Sequence, residues 1–411
     1  MGRRKLLGYF MKGETILCVE SASRWHSLWR DSQQIMSRIA AQNRVLYFEP
    51  GRSNDGSVMS EIGRNFPYFF APRSWQEQEN LYVIPTPSSL PVMNRVLPRS
   101  ILRVTMPIVS KINARILIRQ IRWAMKRLDV SKPILWLYSP AQRDLIGKFG
   151  EKLVCYFNYD EHADFEHNAH IKDLIRKSDD QFSSRVDVVW ATSQAQAERR
   201  KALNPNTFFV PNGVDFELFN RALTANLPLP ADIASIRGPI IGFAGWLGYH
   251  IDVALLVRIA KAYPDCALVL VGPEELTKGS DRNELLSLPN VHFLGRKERT
   301  ELPNYLQAFD VALMPWALRG HILSAYPLKL HEYLAAGRSS VATALPELRP
   351  YCNVIRIAES HDDFIQQIRE ALQDNSPAAI EARVAVAREN TWDQRVATIY
   401  RVLESRLHKP S

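Results

Sequence analysis

The chain has 411 residues, 46% of them hydrophobic and 23% charged, and its 52 Lys and Arg exceed its 43 Asp and Glu to leave +9. At about 100–200 residues per domain this length argues for two domains, or three. The composition excludes a disordered tail, a fibre and a small disulfide scaffold, and the charge favours an anionic partner such as nucleotide, nucleic acid or lipid.

The start, MGRRKLLGYFMKGETILCVES, is basic, but Lys12 and Glu14 interrupt its apolar stretch and no small-residue cleavage site follows. It makes a poor signal peptide. Nowhere do some 18 uncharged apolar residues run together, so no spanning helix is expected. TILCVES (15–21) reads as the first strand. Trp25, His26, Trp29 and Arg30 follow it, and two readings stay open: stacking on and bonding an acceptor sugar, or two core tryptophans on one helical face. RVLYFEP (44–50) and NLYVIP (80–85) are the next strands.

The stretch from Asn80 to Leu128 has no Asp or Glu. Lys111, Arg115, Arg119, Arg122 and Lys126 are spaced 4, 4, 3 and 4, which draws one helical stripe flanked by isoleucines. A basic amphipathic helix suits an anionic membrane surface. The competing reading is a solvated face on a core-packed helix. No nucleic-acid-binding motif accompanies the charge, so nucleic acid is not expected as a partner.

Strands PILWLY (133–138) and KLVCYFNYD (152–160) lead into an acidic cluster, YFNYDEHADFEH (156–167). Asp160 and His162 stand just past a strand end, where α/β sites form. His162 and His167 are five apart, a poor spacing for metal on one helix face, so no metal is implied. A solvated acidic loop and a cleft-facing pair that contacts sugar or acceptor both remain open. VDVVWATS (186–193) and TFFVPN (207–212) complete the first half.

The strand–helix alternation then breaks over 216–238, a Pro-rich stretch read as a linker. Strands resume at 239–245, 267–272, 291–295, 311–316, 339–344 and 353–359. Their runs are apolar throughout, as strands buried on both faces of a parallel sheet require. The pattern is α/β with two Rossmann-like domains facing a cleft: residues 1–215, residues 239–375, and a helical tail over 376–411. Cys18, Cys155, Cys266 and Cys352 are far apart and show no metal spacing, so reduced, buried thiols are expected.

Tyr326–Thr343, YPLKLHEYLAAGRSSVAT, is the most informative stretch. Pro327 suits a first helical turn and Gly337 a helix stop. Lys329 and Glu332, three apart, share a face among apolar neighbours, where an unbonded carboxylate is costly. Such a carboxylate can accept both hydroxyls of a ribose, and the lysine with helix-start N–H groups can hold a diphosphate. The alternative is an ordinary surface pair. GFAGWLG places Gly242, Gly245 and Gly248 as G-x-x-G-x-x-G, which is neither the dinucleotide fingerprint nor a P-loop.

P-x-K-x-x-E-Y-x-A-A-G before a strand resembles the donor-binding signature of retaining GT-B glycosyltransferases of family four. VWATS with VPNGVD, GFAGWLGYHID, and LPNVHFLGRKERTELPNYLQAFDVALMPW resemble further segments of that family, in order, over about residues 155–345. The nearest group is the teichuronic-acid and exopolysaccharide type of sugar transferase. The resemblance implies that Glu332 binds the donor ribose, that Leu294, Gly295 and Arg296 border the base, and that Gly245, Trp246 and Gly248 approach phosphates and sugar. Two departures stand out. Ser324 occupies the place of the family's first paired glutamate, where it is read as a donor contact that hydrogen-bonds the sugar, and the family's usual basic loop residue is absent, with His250 offered instead. Lys329, Arg319 or His321 would then supply the positive charge.

The expectation is therefore a hexosyl transfer from a nucleotide sugar, UDP- or GDP-linked, to a lipid-linked or growing cell-surface glycan. Asp160 and His162 stand as catalytic candidates and Trp25, His26 and Arg30 as acceptor contacts. No cofactor is implied beyond the nucleotide-sugar substrate. The expected location is cytoplasmic, peripheral on the inner membrane face. A nucleotide-sugar epimerase and a non-catalytic glycosyltransferase-like partner are the rival readings.

Overall fold

The computed structural model describes residues 11–50, 74–86, 99–161, 163 and 169–407, with backbone alone for 99–107 and 169–170. The first sheet holds β1 (Thr15–Val19), β2 (Arg44–Glu49), β3 (Trp75–Gln78), β4 (Leu81–Pro85), β5 (Ile134–Leu137), β6 (Leu153–Asn158), β7 (Val188–Ala191) and β8 (Thr207–Phe209). Their order is β3-β4-β2-β1-β5-β6-β7-β8, and every described pairing is parallel except β3 with β4. The second sheet holds β9 (Ile240–Ala244), β10 (Ala267–Val271), β11 (Val291–Gly295), β12 (Val311–Met314), β13 (Ser339–Thr343) and β14 (Arg356–Ala358). It is wholly parallel, ordered β11-β10-β9-β12-β13-β14.

Most apolar runs became strands buried on both sides, as their lack of alternation requires, while the edge strands β8, β11 and β14 are only partly buried. Only β3 was not foreseen. Its sequence, WQEQ, has no apolar run, because it is a mostly exposed antiparallel edge that buries little.

Helices α1 (Asp31–Ile39), α2 (Arg99–Arg127), α3 (Ala169–Ser183) and α4 (Gln194–Lys201) belong to the first sheet's part of the chain. Residues 216–238 are more than a connector. They form α5 (Phe216–Thr224) and α6 (Ala231–Ala234), and Phe219, Ala222 and Ile233 enter the second core. The second sheet carries α7 (Val253–Ala262), α8 (Ser280–Ser287), α9 (Leu302–Leu306), α10 (Lys329–Ala335) and α11 (His361–Ala371). In the tail, α12 (Pro377–Arg388) packs on α10, whereas α13 (Trp392–Leu407) returns to α1 and buries Trp392, Val396, Ile399 and Leu403 in the first core.

The chain thus passes between the two cores twice, and the passages lie side by side. Val214 N–H donates to the Asn390 carbonyl at 3.0 Å, and Trp392 N–H to the Val214 carbonyl at 3.1 Å. Cys18 and Cys155 are buried free thiols, but Cys266 is half-buried and Cys352 exposed, so burial of all four does not hold.

Each sheet reverses its strand order once, between β1 and β5 and between β9 and β12. Crevices at the carboxyl ends of strands form at such switch points. Here the two reversals open toward one shared cleft.

Candidate functional site

A cleft of about 620 Å³ lies between the two sheets. Leu28, Trp29, Arg30, Tyr159 and Asp160 line it from the first, and the loops after β9, β10, β11 and β12 with the start of α10 from the second.

At its floor Lys329 Nζ donates to Glu332 Oε2 at 2.7 Å, both side chains mostly shielded from solvent. The helix beneath them is pinned to β9, since Ala244 N–H donates to the Tyr333 hydroxyl at 3.0 Å. Gly245 follows, its N–H donating to the Val271 carbonyl at 2.8 Å. Gly272 has φ +144, and a Cβ there would run into the Gly245 carbonyl oxygen. Only glycine lets the β9 and β10 loops meet so closely. Gly248 is set back from the cleft, where a Cβ would strike the Trp246 ring. Trp246 lines the cleft and its Nε1 donates to Glu275 at 3.0 Å.

The β11 side differs from expectation. Leu294 packs against the core, Gly295 accepts from Gly272 N–H at 2.9 Å, and exposed Arg296 sits 3.9 Å from Glu298; none lines the cleft. The next basic residues do. Lys297 pairs with Asp232 at 2.6 Å, and Arg299 with Asp215 at 2.8 Å. Arg299 also lies over the Trp29 ring, 5.4 Å from its centroid, which joins the two halves across the cleft. Both residues stand inside the GRKERT stretch, so the signal was present one turn further along the chain.

At the opposite end, past the second switch point, the wall is aromatic. His250 and Trp316 rings lie 4.7 Å apart, Tyr249 and His321 rings 5.4 Å apart, and His321 Nε2 is 3.2 Å from the Tyr249 hydroxyl. Burial, then the neighbouring His321, lowers His250 to about 4, so it is neutral at pH 7 and cannot replace the basic loop residue. Arg319 donates to the Tyr249 carbonyl at 3.2 Å and does not line the cleft. Ser324 also stays out: its hydroxyl donates to the His321 carbonyl at 3.0 Å, and it borders a separate surface hollow with Glu161 and Arg199.

From the first half come Arg30 and Asp160. The Arg30 guanidinium lies 5.3 Å from the Tyr159 ring centroid. Burial raises the Asp160 carboxyl to about 7; the Arg30 charge opposes this and Asp31 adds to it. His162 lies outside the described residues. Trp25 is buried in the core, edge-on to Tyr47 and Trp29, and offers no face to a sugar. His26 stacks on Trp75, 5.9 Å between centroids, beside Glu77 and away from the cleft. Of the three acceptor candidates the cleft takes Arg30 alone, with Leu28 and Trp29 in place of the others.

On α2, Lys111, Arg115, Arg119, Arg122 and Lys126 are all exposed. Arg122 donates to the Lys148 carbonyl at 3.0 Å, and Ile108 and Ile112 are exposed nearby. Among the described residues no helix is long and apolar enough to cross a membrane, and no three His, Cys, Asp or Glu residues stand so as to hold a metal ion.

Residues 238–374 match the family model described as glycosyl transferases group 1. The match is to one of the two domains, the second. That domain contains the whole second sheet and the Lys329–Glu332 floor. The chain is also 31% identical over 189 residues to a Bacillus subtilis protein named as the teichuronic acid biosynthesis glycosyltransferase TuaH, a match over 45% of this chain and 47% of that protein. It therefore spans about half the length of this curated relative. Among solved structures, sucrose-phosphate synthase from Thermosynechococcus elongatus aligns with TM-score 0.67 at 15% identity, over 95% of this chain and 98% of that one. The E. coli trehalose-6-phosphate protein bound with UDP-2-fluoro glucose aligns with TM-score 0.68 at 12% identity, over 97% and 100%. Anabaena HepE in complex with UDP aligns with TM-score 0.61 at 13% identity, over 95% and 100%. The matched domain and the first domain together have the GT-B fold of these neighbours.

Proposed function

We propose that this protein is a glycosyltransferase that moves a sugar, with retention, from a UDP or GDP sugar to a lipid-linked or growing cell-surface glycan. The carrying observation is the cleft itself, where Glu332 and Lys329 face Arg30 and Asp160 from the other domain. Glu332 accepts the ribose hydroxyls, and Lys329, freed from it, meets the diphosphate. Lys297 and Arg299 stand at the base end.

Transfer on one face needs no protein nucleophile when the leaving diphosphate takes the acceptor proton. The protein then contributes alignment and charge stabilisation, which Lys329 and Arg30 supply. Asp160, poised near neutrality, holds the acceptor hydroxyl in line for that transfer. The exposed basic stripe on α2 holds the enzyme at the anionic inner face of the cell membrane, where a lipid-linked acceptor resides.

Scanning calorimetry with UDP, GDP, ADP, dTDP and their sugars tests the reading, because a ligand that binds only the folded state raises its melting temperature. UDP or GDP should stabilise the protein, and the matching nucleotide sugar should lose its sugar only with a glycan acceptor present. Stabilisation by none of them would sink the proposal.

A further inference from the structure

We infer that a buried polar chain, Arg200–Asp179–Tyr156–Asn158, fixes the segment that presents Asp160 to the cleft, so that Tyr156, Asn158 and Asp179 are positioning residues for the transfer. This rests on the reading of Asp160 proposed above and extends it to the groups behind the cleft wall.

The direction of every link is forced. Arg200 on α4 meets Asp179 on α3 as an ion pair, both side chains buried. The Asp179 carboxylate only accepts, so the Tyr156 hydroxyl donates to its Oδ1, at 2.9 Å. The hydroxyl oxygen is left to accept, and Asn158 Nδ2 donates to it at 2.9 Å. The second hydrogen of that amide nitrogen then goes to the Asp160 carbonyl, also at 2.9 Å. Tyr156 and Asn158 stand on β6 with no exposed surface. A charge on α3 therefore decides which way the Asn158 amide faces, and the amide holds the backbone of Asp160.

The residues on either side are tied as well. Thr192 Oγ1, just past β7, donates to the Tyr159 carbonyl at 2.9 Å. Glu161 takes Arg199 Nη1 at 2.7 Å, with Arg200 at 3.5 Å from the same carboxylate. Three consecutive residues are thus held from β6, the end of β7 and α4, while Asp160 lines the cleft. A buried ion pair adds little stability over an apolar filling of the same space. What this chain supplies is placement, and a group that aligns a substrate needs it to within about 0.5 Å.

The experiment follows the denaturant midpoint of the full chain from pH 4 to 9 for wild type, Tyr156→Phe, Asp179→Asn and Asn204→Ala, each with and without Asp160→Asn. The gap within each pair isolates the Asp160 carboxyl. In the wild type the gap should grow as pH climbs and level off near 7, because burial raises the folded carboxyl to about 7. Tyr156→Phe removes one oxygen from the chain, and Asp179→Asn keeps its shape while freeing its direction. Either should let the carboxyl reach water, so that the gap levels at least about one pH unit lower, a tenfold or greater rise in the acid dissociation constant. Asn204→Ala is the control, since it loses two buried bonds outside the chain, to the Ser183 and Val186 carbonyls. It should lower the midpoint at every pH and leave the levelling point in place. Arg30 and Asp31, whose charges act on Asp160, and Tyr159 and Tyr249, on which its charge acts, are unchanged in every variant. A levelling point that stays near 7 or rises in Tyr156→Phe and Asp179→Asn overturns the inference, as does one that moves equally in Asn204→Ala. A wild-type gap that levels near the ordinary 3.8 shows a carboxyl nothing holds, and overturns it too. UDP and GDP are titrated on the same proteins. If neither binds the wild type while the levelling point moves as expected, the donor reading falls and the positioning chain stands.

Discussion

Lys329 Nζ lies 2.7 Å from Glu332 Oε2, one turn apart on the short helix that floors the cleft. The pair holds the carboxylate in place before any ribose arrives, and gives the lysine a partner it can leave for a phosphate. Glu332→Gln should therefore weaken nucleotide binding by about 1.5–3 kcal/mol, the range for hydrogen bonds to charged groups. A 2′-deoxynucleoside diphosphate should lose affinity on the wild type and lose much less on the variant. Titration calorimetry of the four combinations decides it. An unchanged Kd in folded Glu332→Gln removes the ribose role.

Asp160 ties pH to both rate and stability. Burial raises its carboxyl to about 7 in the folded protein, against 3.8 ordinarily. A raised carboxyl pKa stabilises the fold below pH 4, and that contribution is lost as pH climbs through 7, by as much as about 1.4 kcal/mol per pH unit. If the ionised form serves the acceptor, the rate should rise over the window in which stability falls. Asp160→Asn should flatten both trends. Arg30→Gln should move the rise in rate to higher pH, because the guanidinium charge favours the ionised carboxylate. A rate profile that stays flat from pH 5 to 8 in the wild type would exclude Asp160 from the reaction.

Gly272→Ala tests how closely the two phosphate-side loops must approach. The backbone there has φ +144, and the new methyl would meet the Gly245 carbonyl. Strain of about 1–3 kcal/mol at such a φ adds to that clash. Denaturant titration should show a lower midpoint with an unchanged slope. Any folded fraction should bind nucleotide poorly, since Gly245 is displaced. Wild-type stability and binding together would show that the loops can separate freely.

Among the described residues thirteen of fourteen strands were legible, because parallel strands in the middle of a covered sheet need continuous apolar runs and even the partly buried β8, β11 and β14 keep them. The polar edge β3 carried no such constraint. Glu332, Lys329 and Gly245 were legible for a similar reason, as each sits where its own loop or helix dictates. The sequence does not show which side of a strand end a residue takes. Leu294 and Arg296 turn away while Lys297 and Arg299 turn in, and Trp25 is core while Trp29, four residues on, faces the cleft. Arg299 meets Trp29 only because the two domains fold around one cleft, a contact between residues 270 positions apart that no local pattern encodes. Ser324 was misplaced through the resemblance itself, since an aligned position does not fix the direction of a short side chain in a tight turn.

The stripe on α2 makes the last prediction. Lys111, Arg115, Arg119 and Lys126 are exposed and form no ion pair among the described residues, whereas Arg122 is tied to the Lys148 carbonyl. Exposed Ile108 and Ile112 give the same helix an apolar edge. Near an anionic leaflet each basic residue contributes about 1 kcal/mol, so four or five on one face hold a protein without a lipid anchor. Replacing all five with Gln should abolish sedimentation with phosphatidylserine vesicles, and sparing Arg122 should make little difference. Wild-type binding should fall as salt rises, because exposed charges are screened within about 8–10 Å. Nucleotide binding should be untouched, since none of the five lines the cleft. If the wild type ignores anionic vesicles at low salt, the stripe is a solvated face. The acceptor then meets the enzyme in solution, and the lipid-linked part of the proposed function falls.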